Sequence, residues 1–522
     1  SQPTAPTPAP TPAEKPKNIE SLYSVNARGD LHIAQGPRSI RAEVLDGYIR
    51  LFDNKLRPGA IAGRGTALPG RESSVHARDA TAPDVSSIPQ TPTAVVSAEP
   101  PAKPTPGGSP VPQEQPIAIA YSGPLEVRAL RQAPKDLADT DVFVRCTSPA
   151  DSGVIILDDS QQVRATGRLV EYAATTRNTA IEGSDADPAR LEKTRVGVAL
   201  SKRFELFPLR GRVVGLGAGM IHALADAKQQ HAATDPAVPS VASAIPALIA
   251  PGEERRLNWS TSAAFTFGVE DGTMSSRLDS ALLRGGVIAT DGKGRLTGEE
   301  LAATFTKLSP QTSYLSRLSL KDGAHADDGA DGSLDAKSLD VTLTKRENST
   351  ESDPTLLIAR GGVRAAQKAG ALTADSLDAT LERRESATTP PGGSTLVIAR
   401  TTADGNVAFT RADGVNARTP HLVAQPVDEI ATLSGPGSQV GHADTAVRGN
   451  TITMNGKART LSVEGPGAFE HRGKATPTQP ESHALVTWSE SMTFDDAGGL
   501  VSCKGNSQAE VTQGDISKDT LK

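Results

Sequence analysis

Apolar and polar residues alternate with a period of two through much of the C-terminal half of the chain. Leu339, Val341 and Leu343 share one side, while Asp340, Thr342 and Thr344 share the other. Leu377, Ala379 and Leu381 alternate in the same way with Asp378, Thr380 and Glu382, and Leu301, Ala303 and Phe305 repeat the arrangement. Such alternation marks a β-strand with one buried face. LTADSLDATLERRE is also readable as a short helix with a Thr cap. However, Leu372, Leu377 and Leu381 do not fall on one stripe of a helical wheel, so strands are favoured. These segments are copies of one unit. LTGEELAATF, LDAKSLDVTL and LTADSLDATL begin at Leu296, Leu334 and Leu372, each 38 residues after the last. The later two copies run on in parallel, through Lys345-Arg346-Glu347 and Arg383-Arg384-Glu385, to the aliphatic runs TLLIAR and TLVIAR. GGVIAT at Gly285 and GGVRAA at Gly361 form a looser echo, and the Gly- and Asp-rich stretches KAGA and KDGAHADDGADG read as turns between strands.

A larger duplication surrounds this array. VVGLGAG at 213–219 resembles VEGPGAF at 463–469, and each is followed by a Trp-Ser strand, LNWSTSAAF at 257–265 and VTWSESMTF at 486–494. Leu257, Trp259 and Phe265 share one face, as do Val486, Trp488, Met492 and Phe494, which is the pattern of a sheet packed or folded onto another sheet. The gap from Gly to Trp is 44 positions in the first copy and 23 in the second, and an Ala/Pro tract inserted in a surface loop accounts for the excess. By the same correspondence, residues 519–522 stand where 294–297 stand, and the natural chain is expected to continue with another strand of the repeat.

The remaining chain divides by composition. Residues 1–17 read as a Pro-rich tether, 18–76 as a small β block, 77–116 as a Pro-rich disordered linker, and 117–270 as a β module with an Ala/Pro insertion at 223–252. The start of that insertion, IHALADAKQQHA, is compatible with one short helix. Residues 271–410 form the 38-residue repeat array, and 411–522 form a second module, truncated at its end. Only 37% of the residues are hydrophobic and 3% aromatic, so the cores are thin and aliphatic. With 55 basic against 61 acidic residues, nothing in the charge balance points to nucleic acid. No apolar run is long enough to span a bilayer as a helix.

The strand pattern I-A-x-G-G-V-x-A followed by L-x-A-D-x-L-x-A-x-L resembles the OstA-like domain of the lipopolysaccharide transport system. The clearest instance is LLIARGGVRAAQKAGALTADSLDATL at 356–381, and VIATDGKGRLTGEELAATF at 287–305 is a weaker one. The resemblance implies an all-β fold in which stacked short strands form β-jelly-roll or β-taco modules around an open apolar groove. It also implies a non-enzymatic role in the periplasm or cell envelope, with the chain tethered by a removed N-terminal signal or anchor. There it would bind or conduct the acyl chains of lipopolysaccharide or a similar multi-acyl lipid. Partners would be other envelope transport proteins, joined end to end by β-augmentation. The expected lining is Leu339, Val341, Leu343, Leu356, Ile358, Leu377 and Leu381, with Trp259 and Trp488 near an end or a wall. No cofactor is implied. The competing expectation is a structural or adhesive envelope spacer with no ligand, since stacked repeats share one continuous core whatever they carry.

Enzyme signatures are weak. Gly215, Gly217 and Gly219 suggest a dinucleotide loop, but Met220 stands where the third glycine belongs, so a Gly-rich strand or turn is favoured. The nine histidines include no metal-binding pair at close spacing. Asp322, Asp327, Asp328 and Asp331 read as a solvated inter-strand turn rather than a calcium loop. Arg28-Gly29-Asp30 reads as a β-turn before the strand from Leu31. Cys146, in DVFVRC, reads as a small buried hydrophobe.

Overall fold

The computed structural model describes residues 20–35, 37–52, 93–94, 118–132, 142–148, 153–159, 162–194, 196–223, 255–270, 272–290, 294–328, 332–346, 352–385, 394–474, 481–513 and 516–521. The fold is all-β and antiparallel. Among the described residues there is no α-helix, only a 3-10 turn at Pro208–Arg210. Most of the Pro-rich and Ala/Pro tracts, with residues 53–76 and Asp331, lie outside the described residues. The chain forms two compact units, residues 1–189 with 205–209, and residues 190–204 with 210–522.

The first unit contains β1 Glu20–Gln35, β2 Arg38–Phe52, β3 Thr93–Ala94, β4 Ala118–Ala120, β5 Leu125–Leu130, β6 Val142–Thr147, β7 Val154–Asp158, β8 Val163–Gly167, β9 Leu169–Ala173 and β10 Asn178–Glu182. β1 and β2 form a long hairpin whose register breaks between Arg28 and Leu31. Along the free side of β1 lie two short strands end to end, β5 against residues 22–27 and β4 against 32–34. β2 is paired in the same divided way by β6 and β7. Arg28-Gly29-Asp30 is therefore not a turn ahead of a strand. It is a bulge inside β1, flanked by Ala27 and Leu31, which are 1% and 0% exposed. ARGDL thus matches ARGGV at 359–363, an echo of the repeat that the sequence carries in plain view. Cys146 is buried on β6, as the alternation of DVFVRC requires.

In the second unit, β11 Ala189–Lys193 contributes residues from Arg190 and β12 Gly197–Phe207 contributes residues up to Phe204. They precede β13 Arg212–Ala223, β14 Arg255–Trp259 and β15 Ser262–Glu270. The short helix expected from Ile221 does not begin there, because Ile221 pairs with Leu257 and Ala223 with Arg255 inside the β13–β14 ladder. A meander of neighbouring strands follows: β16 Thr273–Thr290, β17 Arg295–Lys307, β18 Ser313–Asp327, β19 Ser333–Lys345, β20 Ser352–Gln367 and β21 Gly370–Glu385. It continues through β22 Ser394–Arg411, β23 Val415–Gln425, β24 Ile430–His442, β25 Thr445–Asn455 and β26 Thr460–Gly473. After it, β27 Ser482–Trp488 and β28 Ser491–Asp495 divide the free side of β26 between them; β28 pairs on with β29 Leu500–Lys504, and β27 with β30 Gln508–Gln513, which pairs with β31 Ile516–Leu521.

From β16 to β26 the strands are 11 to 18 residues long, not short. Each amounts to two short strands fused across a bulge. The bulges fall in line from strand to strand: between Arg284 and Val287, Lys321 and Ala324, Arg360 and Val363, and Asp404 and Val407. Every second strand carries a left-handed residue there, at Gly285, Gly323, Gly361, Gly405, Gly435 and Gly465. At Gly361, φ is +83° and an added Cβ would come within 2.7 Å of the Lys337 Cβ, so the position needs glycine on both counts. Asp322-Gly323 is the copy of this bulge midway between Gly285 and Gly361. KDGAHAD is accordingly strand, as far as Asp327.

The aligned bulges crease the sheet along one line. On one flank runs an unbroken ladder of paired residues, Leu283, Leu301, Leu320, Leu339, Ala359 and Leu377, which continues through Ala403, Leu422, Leu433 and Ile452 to Val463 and Met492. None is more than 7% exposed. On the other flank sit smaller buried side chains, including Val287, Ala324, Ala336, Val363, Ala374 and Val407. A sheet bent onto its own apolar face explains why both flanks are buried, and large residues facing small ones let the two halves approach closely. At β23 and β24 hydroxyls replace the hydrocarbon: Thr419 and Ser438 bond each other at 2.8 Å and find backbone carbonyls at His421, Ser434 and Gly435.

Candidate functional site: a creased apolar trough

One step out from the crease, the inner face of the sheet opens. On one wall Leu318 pairs with Val341, Val341 with Leu357 and Leu357 with Ala379, and Leu318, Val341 and Leu357 are partly exposed. On the other wall Leu296, Leu334, Ala365, Leu372 and Phe409 form the matching row and are also partly exposed. Alternation directs these residues to the inner face on every strand, so the two rows run across the strands on either side of the crease. The lining residues named here are hydrocarbon, with Phe409 the one aromatic ring among them.

The outer face is polar and cross-linked strand to strand. Glu300 on β17 accepts bonds from Arg284 on β16 and Lys321 on β18, both at 2.9 Å, and these cations hold its carboxyl below the usual carboxylate range. Arg317 reaches Asp340 at 3.0 Å, and Arg360 pairs with Asp378. At the wall's edge Asp353 is gripped by Arg383, at 2.6 Å and 2.8 Å, and by Arg346, at 2.7 Å and 3.3 Å, which keeps its carboxyl far below the ordinary range. Near the start of the array Arg277 is buried, donating to Glu270 and Asp279 at 2.8 Å each and to the Pro310 carbonyl at 3.3 Å. Gly268 makes room for it, since a Cβ there would lie 2.2 Å from the guanidinium.

Of the lining expected from sequence, Val341, Leu343 and Leu381 fall on the inner face by alternation and are partly exposed. Leu339 and Leu377 lie in the sealed ladder at the crease. Leu356 and Ile358 are on the wrong face. Leu356 pairs with Thr342 and Thr380, and Ile358 with Asp340 and Asp378, so both belong to the outer, polar side. The inward residue of TLLIAR is Leu357. In a run of four apolar residues alternation cannot choose the face, and only the register with Val341 and Ala379 decides it. Leu296, Leu334 and Leu372 were visible as the first leucine of each repeat, but nothing in a single strand shows that they form the opposite wall.

The two Trp-Ser strands sit in matching positions. Gly219 pairs with Trp259 and Gly467 with Trp488. Each indole N–H donates to a carbonyl of the bulged glycine, Gly217 at 3.0 Å and Gly465 at 3.1 Å. A Cβ on Gly219 or Gly467 would lie 2.3 Å or 2.4 Å from the indole ring, so these glycines exist to admit it. The Gly-x-Gly segments are thus strand bulges seating a tryptophan. The sequence correspondence of residues near 521 and 296 holds in register too, since Leu521 pairs with Ala509 as Leu296 pairs with Ala289.

Among the described residues, no group of three or more His, Cys, Asp or Glu side chains is placed to hold a metal ion, and no helix is long and apolar enough to cross a membrane. His325 is held by Asp335 at 2.7 Å and Asp327 at 3.4 Å. No family model, no curated protein and no solved structure matches this chain.

Proposed function

We propose that the creased sheet of the second unit is a non-enzymatic scaffold that holds or conducts the acyl chains of an amphiphilic lipid. The observation that supports this reading is the pair of partly exposed hydrocarbon rows on the inner face either side of the crease, Leu318, Val341 and Leu357 on one side and Leu296, Leu334 and Leu372 on the other. Leaving such surface in contact with water costs free energy, on the order of 25 cal/mol for each Å². An acyl chain lying in the trough removes that cost for both molecules. Walls that are mostly aliphatic, with Thr401 next to Ala379 as a hydroxyl in the row, suit a flexible chain that slides. The resemblance of 356–381 to the OstA-like pattern extends the proposal to lipopolysaccharide or a similar multi-acyl lipid, to the periplasm or cell envelope, and to strand-edge pairing with other envelope transport proteins.

The second reading, a ligand-free spacer, draws on the buried ladder at the crease, which would stabilise the array with nothing in the trough. Native mass spectrometry of the full chain, purified without detergent from a Gram-negative host and followed by lipid extraction, separates the two. The proposal expects a co-purifying multi-acyl lipid released on denaturation. A clean apo mass that persists after adding lipopolysaccharide favours the spacer.

A further inference from the structure

The 38-residue repeat sets a cation at the same point of three strands. Lys307 on β17, Lys345 on β19 and Arg383 on β21 lie one period apart, each two residues beyond Phe305, Leu343 or Leu381. By alternation they share the inner face with those residues. Outward from the crease, every copy therefore reads in one order along that face: a sealed leucine (Leu301, Leu339, Leu377), a smaller side chain, a large hydrocarbon, then a positive charge at the rim. The residues paired with the three cations are Ser313, Ser352 and Leu396, none of them acidic. Two strand spacings separate successive cations, about 10 Å. At the other end of the same strands the equivalent positions are Gly294, Gly332 and Gly370, so these strands are charged at one rim only.

The three cations are not equally engaged. Lys307 shares Glu270 with the buried Arg277, at 3.3 Å and 2.8 Å. Arg383 shares Asp353 with Arg346, at 2.6 Å and 2.7 Å. Lys345, on the strand between them, is exposed and forms no ion pair among the described residues. Resting on the lipid-holding reading above, we infer that the rim at Lys345 seats the phosphate headgroup of an amphiphile whose acyl chain lies on the inner face beside Leu343. An ammonium is a point charge with three donors, which suits a phosphate. The occupant is a lipid rather than free phosphate because one exposed cation holds a small anion weakly, and the hydrocarbon two residues away supplies the remaining affinity. The opposing explanation is that the lysine stem merely covers the hydrocarbon edge, in which case its charge is immaterial.

Two probes that differ only by the phosphate, palmitoyl lysophosphatidic acid and monopalmitoylglycerol, are titrated into the full chain below micelle-forming concentrations, with binding counted by native mass spectrometry. The unmodified chain is expected to bind the phosphate probe several-fold more tightly. Lys345→Met, which keeps the stem and removes the charge, is expected to lose most of that preference with binding of the neutral probe unchanged, and Lys345→Arg to retain it. Arg364→Gln removes an exposed cation from the outer face, where Arg364 pairs with Asp335 and Thr373, and is expected to leave the preference intact. Equal binding of the two probes, a preference that survives Lys345→Met, or an equal loss in Arg364→Gln overturns the headgroup site while leaving lipid binding standing. Displacement of the phosphate probe by an equal concentration of inorganic phosphate overturns the assignment of the anion to a lipid. Binding of neither probe overturns the lipid-holding reading and this inference with it.

Discussion

Cys146 shows how burial alone sets the chemistry of a side chain here. The thiol is 1% exposed on β6, and desolvation, with a smaller contribution from Asp46, pushes it up to about 12. It is therefore neutral at pH 7 to 9 in the folded chain, and only the thiolate attacks disulfide reagents. Ellman's reagent at pH 8 is expected to label Cys503 in the native protein and Cys146 only after denaturant is added; rapid native labelling of both would show that β6 is not buried as described. The sign for stability follows from a pKa raised in the folded state: the unfolded thiolate is favoured above about pH 9, so stability falls as pH rises from there toward 12. A second residue-scale prediction concerns the crease. Gly361→Ala, with φ at +83° and the Lys337 Cβ in the way, is expected to cost about 2 kcal/mol, against about 1 kcal/mol for Gly272→Ala, where φ is +68° and no atom lies within 4 Å. Urea unfolding measures both, and equal costs would remove the argument from close approach.

At the scale of the strand, adjacent inward positions differ in what they do. Leu320 belongs to the sealed ladder at 0% exposure, while Leu318, two residues earlier on the same face, lines the open row. Leu320→Ala is expected to cost about 2–5 kcal/mol through the cavity it leaves, and Leu318→Ala about 1 kcal/mol, as read from denaturant midpoints. The ion cluster on β20 gives a pH-dependent counterpart. Arg383 and Arg346 depress the Asp353 carboxyl, so its contribution is present above the unfolded carboxylate range near pH 4 and is lost as pH falls through its lower native value. Asp353→Asn is expected to lower the melting temperature at pH 7, with the difference from the parent chain narrowing as pH drops below about 4. A constant difference across that range would mean that the guanidiniums gain nothing from the charge. Strands of alternating residues such as 339–343 were legible because one face is apolar and the other polar. TLLIAR and KDGAHAD were not, the first because four apolar residues in a row leave the face undetermined, the second because Asp and Gly mark a bulge as readily as a turn. The bulge at Arg28-Gly29-Asp30 reads as a turn for the same reason when taken alone, and only its match to ARGGV at 359–363 marks it as a bulge.

At the scale of the whole molecule, two facts govern the chain. The 38-residue period recurs in the bulges at Gly285, Gly323 and Gly361, so the repeat in sequence is a repeat of creases, and a creased sheet has an inside. The low aromatic content leaves that inside lined mainly by leucine, valine and alanine, which close at the crease and stay open one step away. Fold class and internal duplication were thus written in the sequence as periods. The second wall was not, because it arises only when the far halves of the same strands are bent round. The central claim is that this inside holds lipid, and it is tested most directly by a photo-reactive p-benzoylphenylalanine placed at Leu357 or at Ile358. These neighbours differ by one residue in sequence but face opposite sides, Leu357 between Val341 and Ala379, Ile358 between Asp340 and Asp378. After ultraviolet irradiation with lipopolysaccharide, the account predicts a lipid adduct at position 357 and none at 358. Adducts at both positions, or at 358 alone, would contradict it.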